Sequence, residues 1–275
     1  MPLVWLIITG GVLLALWFAS EPWRRRRRHQ RRAARPVPAH WQRLIERHLP
    51  LYRHMPAPER ERMHAHMQVF LAEKRFYGCN GLDVTEAMRV AVAAHAALLV
   101  LRRTDAPYAD LDAVLLYPEA FVVRHARVDA AGVVDDSERV LIGESWSLGR
   151  IVLSWADMLE AARRPEAGRN VALHEFAHQL DAEDGAEGAP ALPDARAYRA
   201  WSQALGAAFR RLRARLAHGG ASGVIDPYGA TAPAEFFAVA VEAFFQVPVA
   251  LREHEPELYA ALRGYFQLDP ATWLS

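Results

Sequence analysis

The stretch Asn170-Val171-Ala172-Leu173-His174-Glu175-Phe176-Ala177-His178-Gln179-Leu180-Asp181 constrains this chain more than any other. Asn170 suits a helix N-cap, and Val171, Leu173, Phe176, Ala177 and Leu180 supply an apolar side, so the segment reads as an amphipathic helix. Residues four apart on a helix lie nearly above one another, which projects His174 and His178 from one face. Two neutral imidazoles held that way form two corners of a zinc tetrahedron. Glu175, one step round the helix, can take a proton from a water that the metal has acidified. With 12 histidines in 275 residues, chance alone yields on the order of 0.04 such motifs, so the pattern is specific. It also imposes a demand: the third ligand and the substrate wall must come from elsewhere in the chain.

The N-terminus poses a separate constraint. Leu3 to Ala19 runs 17 residues without a charge, at the short end of what spans a bilayer as a helix. Trp5, Trp17 and Trp23 suit its interfaces. Eight arginines follow between Arg24 and Arg35, and none precedes the run. That order is the reverse of a cleaved signal peptide, and the positive-inside rule puts the N-terminus outside and the body in the cytoplasm. A purely cytoplasmic protein with a nucleic-acid arm is the competing reading. The net charge of +1 becomes about −7 without those eight arginines, so the body is no general polyanion binder and no direct nucleic-acid partner is expected. A lone Cys79 excludes an internal disulfide framework. The expected organisation is an anchor at residues 1–23, an Arg-rich linker at 24–40 and a body from 41 to 275.

Within the body, Trp41 to Leu49, Glu59 to Phe76, Glu86 to Leu101 (capped by Asp83 or Thr85) and Tyr198 to His218 read as helices. Phe76 to Gly81 reads as a turn. His64 and His66 read as surface residues, and His95 as a hydrogen-bonded core residue. Residues 113–118, 121–128, 140–143 and 151–155 read as strands. The expected class is therefore α+β: a mostly helical domain with a small sheet packed on the His-Glu helix, preceded by a transmembrane helix. Ile151, Val152, Leu153 and Ser154 are candidates for an edge strand that pairs with an extended peptide, with an interior strand the alternative. Pro233 fits the first turn of a helix carrying Glu235 and Glu242. These acids lie seven apart on one face, and either could complete a His₂Glu site; spacing does not choose between them.

Gly143-Glu-Ser-Trp146, Leu153-Ser-Trp155, Asn170 to Asp181 and Tyr228-Gly-Ala-Thr-Ala-Pro-Ala-Glu-Phe-Phe-Ala238 together resemble the Mlc titration factor A family of zinc-dependent peptidases with a zincin fold. The last segment is also similar to part of the anthrax lethal factor protease. The resemblance runs from about residue 48 to the C-terminus. It implies that His174, His178 and Glu235 bind one Zn²⁺, that Glu175 is the general base and that Tyr228 hydrogen-bonds the oxyanion. Glu242 and Asp181 then become candidates for orienting the ligand imidazoles through their other ring nitrogen. It further implies a peptide or protein substrate, aminopeptidase-like action and, from the family's name, a transcriptional repressor that the protein sequesters. The chain departs from that family in its N-terminal apolar run and arginines.

Overall fold

The computed structural model describes residues 5, 10–11, 14, 16–18, 20–103, 108–119, 121–124, 127–128, 134–135, 138–141, 143–146, 149–183, 188–220 and 223–274; for 22, 23, 25, 26 and 121–146 it describes the backbone alone. Most of the apolar run expected to span a membrane at 3–19 therefore lies outside the described residues, as does most of the turn expected at 135–137. Among the described residues no single helix is long and apolar enough to cross a membrane.

Four strands form the main sheet, in the order β1 (Arg75–Gly78), β2 (Ala113–Tyr117), β8 (Arg150–Ser154), β7 (Gly143–Trp146). The first three are parallel, with Phe76 opposite Val114 and Val114 opposite Ile151, whereas β7 runs antiparallel to β8. Two small antiparallel ladders, β3 (Phe121–Arg124) with β6 (Glu138–Leu141) and β4 (Arg127–Val128) with β5 (Val134–Asp135), fill the excursion between β2 and β7. The expected turn at 76–81 starts too early: Arg75–Gly78 is a strand, and the turn occupies 79–82, with Asn80 and Gly81 at positive φ. Four residues rich in aromatics and glycine carry too little alternation to announce a strand, and only the distant β2 pairs with them. Gly78 is required there, since a Cβ would sit 1.7 Å from the Leu82 carbonyl oxygen.

Helices cover the rest. α1 (Glu21–Ala33), α2 (Ala39–His48) and α3 (Ala57–Glu73) precede the sheet, and α4 (Glu86–Leu98) crosses from β1 to β2. Thr85 caps α4 by accepting the Met88 amide, and almost every side chain of α4 is buried, as its nearly all-apolar sequence demands. α5 (Trp155–Arg163) follows β8 directly, with Ser154 as its cap. α6 (Val171–Asp181) carries the His-Glu motif and packs against α4, β7 and β8. α7 (Ala195–Ala217), α8 (Pro233–Gln246), α9 (Pro248–His254) and α10 (Pro256–Phe266) complete the domain. Phe236, Phe237, Phe244 and Phe245 of α8 are wholly buried, and Phe244 stacks on Phe266 of α10 at 5.6 Å. His64 is no surface residue: it is half-buried and bonds the Tyr52 hydroxyl at 2.8 Å.

Part of the linker expected at 24–40 is helical. Arginine is a good helix former, and Glu21–Ala33 is helical, with His29 Nε2 and Arg32 Nη1 both on Glu73 Oε1, at 2.7 and 2.9 Å. A 13-residue helix is marginal alone in water, so its order depends on docking against α3. Glu73→Ala should raise amide exchange across Glu21–Ala33 about tenfold while lowering the melting temperature by less than about 4 °C, because partly exposed ion pairs contribute little to global stability. Unchanged exchange in hydrogen–deuterium mass spectrometry would contradict this docking.

Candidate metal centre

Helix α6 starts where Asn170 accepts the Leu173 amide at 3.1 Å through its side-chain oxygen, a cap that stabilises a helix by about 1 kcal/mol. From that start His174 and His178 project toward α8, which brings Glu235 to meet them. His174 Nε2 lies 3.0 Å from Glu235 Oε2 and 3.1 Å from His178 Nε2, and His178 Nε2 lies 3.4 Å from the same carboxylate oxygen. One donor atom from each residue falls within 4.8 Å of the others, and among the described residues this is the one group of three acidic, His or Cys side chains that could hold a metal ion. The structure thus resolves what spacing left open: Glu235 faces the imidazoles, while Glu242 lies behind them.

Glu242 has a different task. Its Oε1 accepts from His174 Nδ1 at 2.7 Å, and its Oε2 accepts from the Asn170 backbone N–H. The first contact holds the Nδ1 proton of His174, so that Nε2 is the ring nitrogen directed toward Glu235 and His178. Glu242 is thus placed against the ring nitrogen of His174 that points away from Glu235. Asp181 sits at the end of α6, where its Oδ2 accepts the Gly188 amide of the following loop at 2.7 Å. That loop returns against α8; Gly188 has φ +82, and a Cβ there would lie 2.8 Å from the Pro233 carbonyl oxygen.

Ile151, Val152, Leu153 and Ser154 do not form a free edge. β8 is hydrogen-bonded on both sides, by β2 and β7, and all four residues are buried. The interior alternative is the correct one, because β7 closes the sheet after the long excursion. Among the described strands β7 has β8 as its one neighbour, and α6 packs beneath it.

Glu175 is buried at 3% exposure beside the cluster. Tyr228, 49% exposed, stands at its rim with its ring centroid 6.0 Å from that of His174. Tyr228 belongs to a short 3₁₀ turn, Pro227–Ala230, whose cap Asp226 accepts the Tyr228 amide and pairs with Arg169, one residue before Asn170. Gly229 of this turn is buried against Phe236 and Val239 of α8. Sequence reasoning missed the Arg169–Asp226 clamp; the Asp-Pro pair signals a turn, but nothing local announces its arginine.

Electrostatics show what the cluster lacks. Burial opposes a charge on His174, yet the hydrogen bonds it donates to Glu235 and Glu242 override it and raise its pKa to about 10. Burial likewise opposes ionisation of Glu235, but His174 and His178 hold its carboxyl far below the ordinary range. Two imidazole nitrogens 3.1 Å apart beside carboxylates require a cation or a proton among them. A divalent cation satisfies all three donors, and the two-nitrogen, one-oxygen set fits zinc.

A buried helix pair presenting two histidines and a carboxylate, with a sheet edge alongside, defines a metallopeptidase-like protein. The family model for the glucose-regulated metallo-peptidase M90 matches residues 21–267, and the chain belongs to that family. The matched residues include α1. A protein of Synechocystis sp., "Uncharacterized protein slr2042", is 38% identical over 269 residues, 96% of each chain. The Mlc titration factor A of Pectobacterium atrosepticum is 32% identical over 234 residues, 84% of this chain and 86% of its own. That of Klebsiella pneumoniae strain 342 is 33% identical over 225 residues, covering 81% and 84%.

His174 holds a proton below about pH 10, and a metal must displace it. Binding should therefore release about one proton per ion at pH 7, and affinity should climb about tenfold per pH unit through the neutral range, flattening near the imidazole's own pKa. Calorimetry in buffers of different ionisation enthalpy measures the release; binding without it would contradict the protonated cluster.

Proposed function

We propose that this protein is a zinc-dependent peptidase that hydrolyses peptide bonds, with a preference for amino-terminal residues. The observation that carries the reading is the convergence of His174, His178 and Glu235 on one point, with Glu175 buried next to His174 on the same helix. His174, His178 and Glu235 would hold the ion. A zinc ion bound there supplies a Lewis acid that polarises the scissile carbonyl and acidifies water. Glu175 accepts the water proton on a carboxylate oxygen and delivers it to the leaving amine. The phenol of Tyr228 donates to the carbonyl oxygen as negative charge grows there. Glu242 keeps His174 Nε2 available by holding its Nδ1 proton. An extended substrate would pair with the backbone of β7, in place of the interior β8.

Glu175→Gln should bind zinc normally and lose at least about 100-fold in peptide hydrolysis, the scale of a general base. Tyr228→Phe should lower kcat about 100-fold with little change in KM, as expected for a donor felt at the transition state. Assays on a peptide library, with zinc content measured in parallel, test both. Full activity in Glu175→Gln would remove that residue from the mechanism.

A second reading is favoured by the relatives' name, Mlc titration factor A: the protein sequesters a transcriptional regulator, with or without cleavage. Equal recovery of such a regulator by wild type and by the metal-free double variant His174→Ala plus His178→Ala would support binding independent of the metal.

We further propose a single-pass anchor, with the N-terminus outside and the catalytic body on the cytoplasmic side. The support is the uncharged run from Leu3 to Ala19 followed by arginines, together with the 56–68% exposure of Trp5, Trp17 and Phe18. Purely cytoplasmic residence is the alternative, and carbonate extraction of membranes distinguishes them.

A further inference from the structure

A buried hydrogen-bond chain runs from α4 to the cluster, and its first member has no part in the chemistry above. His95 is 1% exposed, set among alanines and valines. Its Nδ1 faces the Ala91 carbonyl oxygen at 2.8 Å, which can only accept, so Nδ1 carries the proton. Burial drives the ring pKa down to about 4, so the ring is neutral and Nε2 is an acceptor. The Asn170 side-chain amide donates to it at 3.1 Å. That contact and the Leu173 amide on Asn170 Oδ1 together determine which way the Asn170 amide faces. The same residue's backbone N–H then donates to Glu242, which receives the Nδ1 proton of His174. From Ala91 to His174 each donor meets an acceptor.

We propose that His95 is a positioning residue of the metal centre, orienting Asn170 and, through Asn170 and Glu242, the imidazole of His174. It lies 75 residues from Asn170 in sequence and touches neither ligand nor substrate. An imidazole amid apolar side chains is unfavourable unless both its nitrogens are satisfied. Here their satisfaction sets the rotation of the residue that begins the metal-binding helix. The inference rests on reading the cluster as a metal site.

The test uses the full chain, stripped with chelator and titrated with zinc against a chromophoric competitor. His95→Leu approximates the volume and removes both ring nitrogens; the zinc dissociation constant should rise about tenfold or more, the scale found for partners that orient metal ligands. His95→Gln can accept from Asn170 and donate to Ala91, and should return affinity to within about threefold of wild type. Unchanged affinity in His95→Leu overturns the proposal, and so does a loss that glutamine does not rescue. Should His95→Leu fail to fold, Asn170→Asp keeps the helix cap but presents an acceptor to His95; it should weaken zinc similarly, and native affinity there overturns the proposal. Wild-type protein that binds no zinc would defeat the metal reading itself and this inference with it.

Discussion

The site depends on one carboxylate that touches no substrate. Glu242 joins the N-terminus of α6 to α8 by accepting the Asn170 amide on one oxygen and His174 Nδ1 on the other. Buried acids are expensive unless each lone pair is used, and this one serves both a helix end and a ring nitrogen. The positive end of the α6 dipole favours a negative charge at that point. The contact holds the ligand helices in register and turns Nε2 of His174 toward Glu235. Replacing it with an apolar residue would leave the Asn170 amide and His174 Nδ1 without their acceptor.

The surrounding fold secures this helix pair from several sides. The sheet and α4 form the floor of α6, so the motif helix is buried except along its histidine face. At its C-terminal end the close approach of Gly188 to Pro233 brings the following loop onto the start of the Glu235 helix. At its N-terminal end Arg169 and Asp226 bring the Tyr228 turn beside His174. Each ligand or rim residue is thus held by regular structure or by a turn pinned to it, which is how a site is kept within the tolerances that catalysis needs.

What was legible in the sequence follows the range of the interactions. The α6 motif, the cap at Asp83 or Thr85 (Thr85 in the structure) and the Pro233 helix start are written in adjacent residues, and they appear where local chemistry expects them. The choice between Glu235 and Glu242 was not readable from spacing, because a seven-residue repeat puts both on one face. Their roles separate only when α8 crosses α6. Strand β8 lies one residue earlier than the 151–155 expected, and its edge or interior place stayed open because its sequence says nothing about which neighbours pair with it. Arg75–Gly78 was hidden by its brevity, and the arginine helix by charge that resembled a solvated linker until Glu73 met it.

The central claim is that two helices, held by Glu242, close three side chains around one divalent cation. Elemental analysis of the full chain, purified without added metal, beside Glu235→Ala and a Cys79→Ser control, tests it most directly. About one zinc per chain in wild type and in Cys79→Ser, with little or none in Glu235→Ala, is the predicted result. No bound metal, or metal retained undiminished without Glu235, would contradict the account.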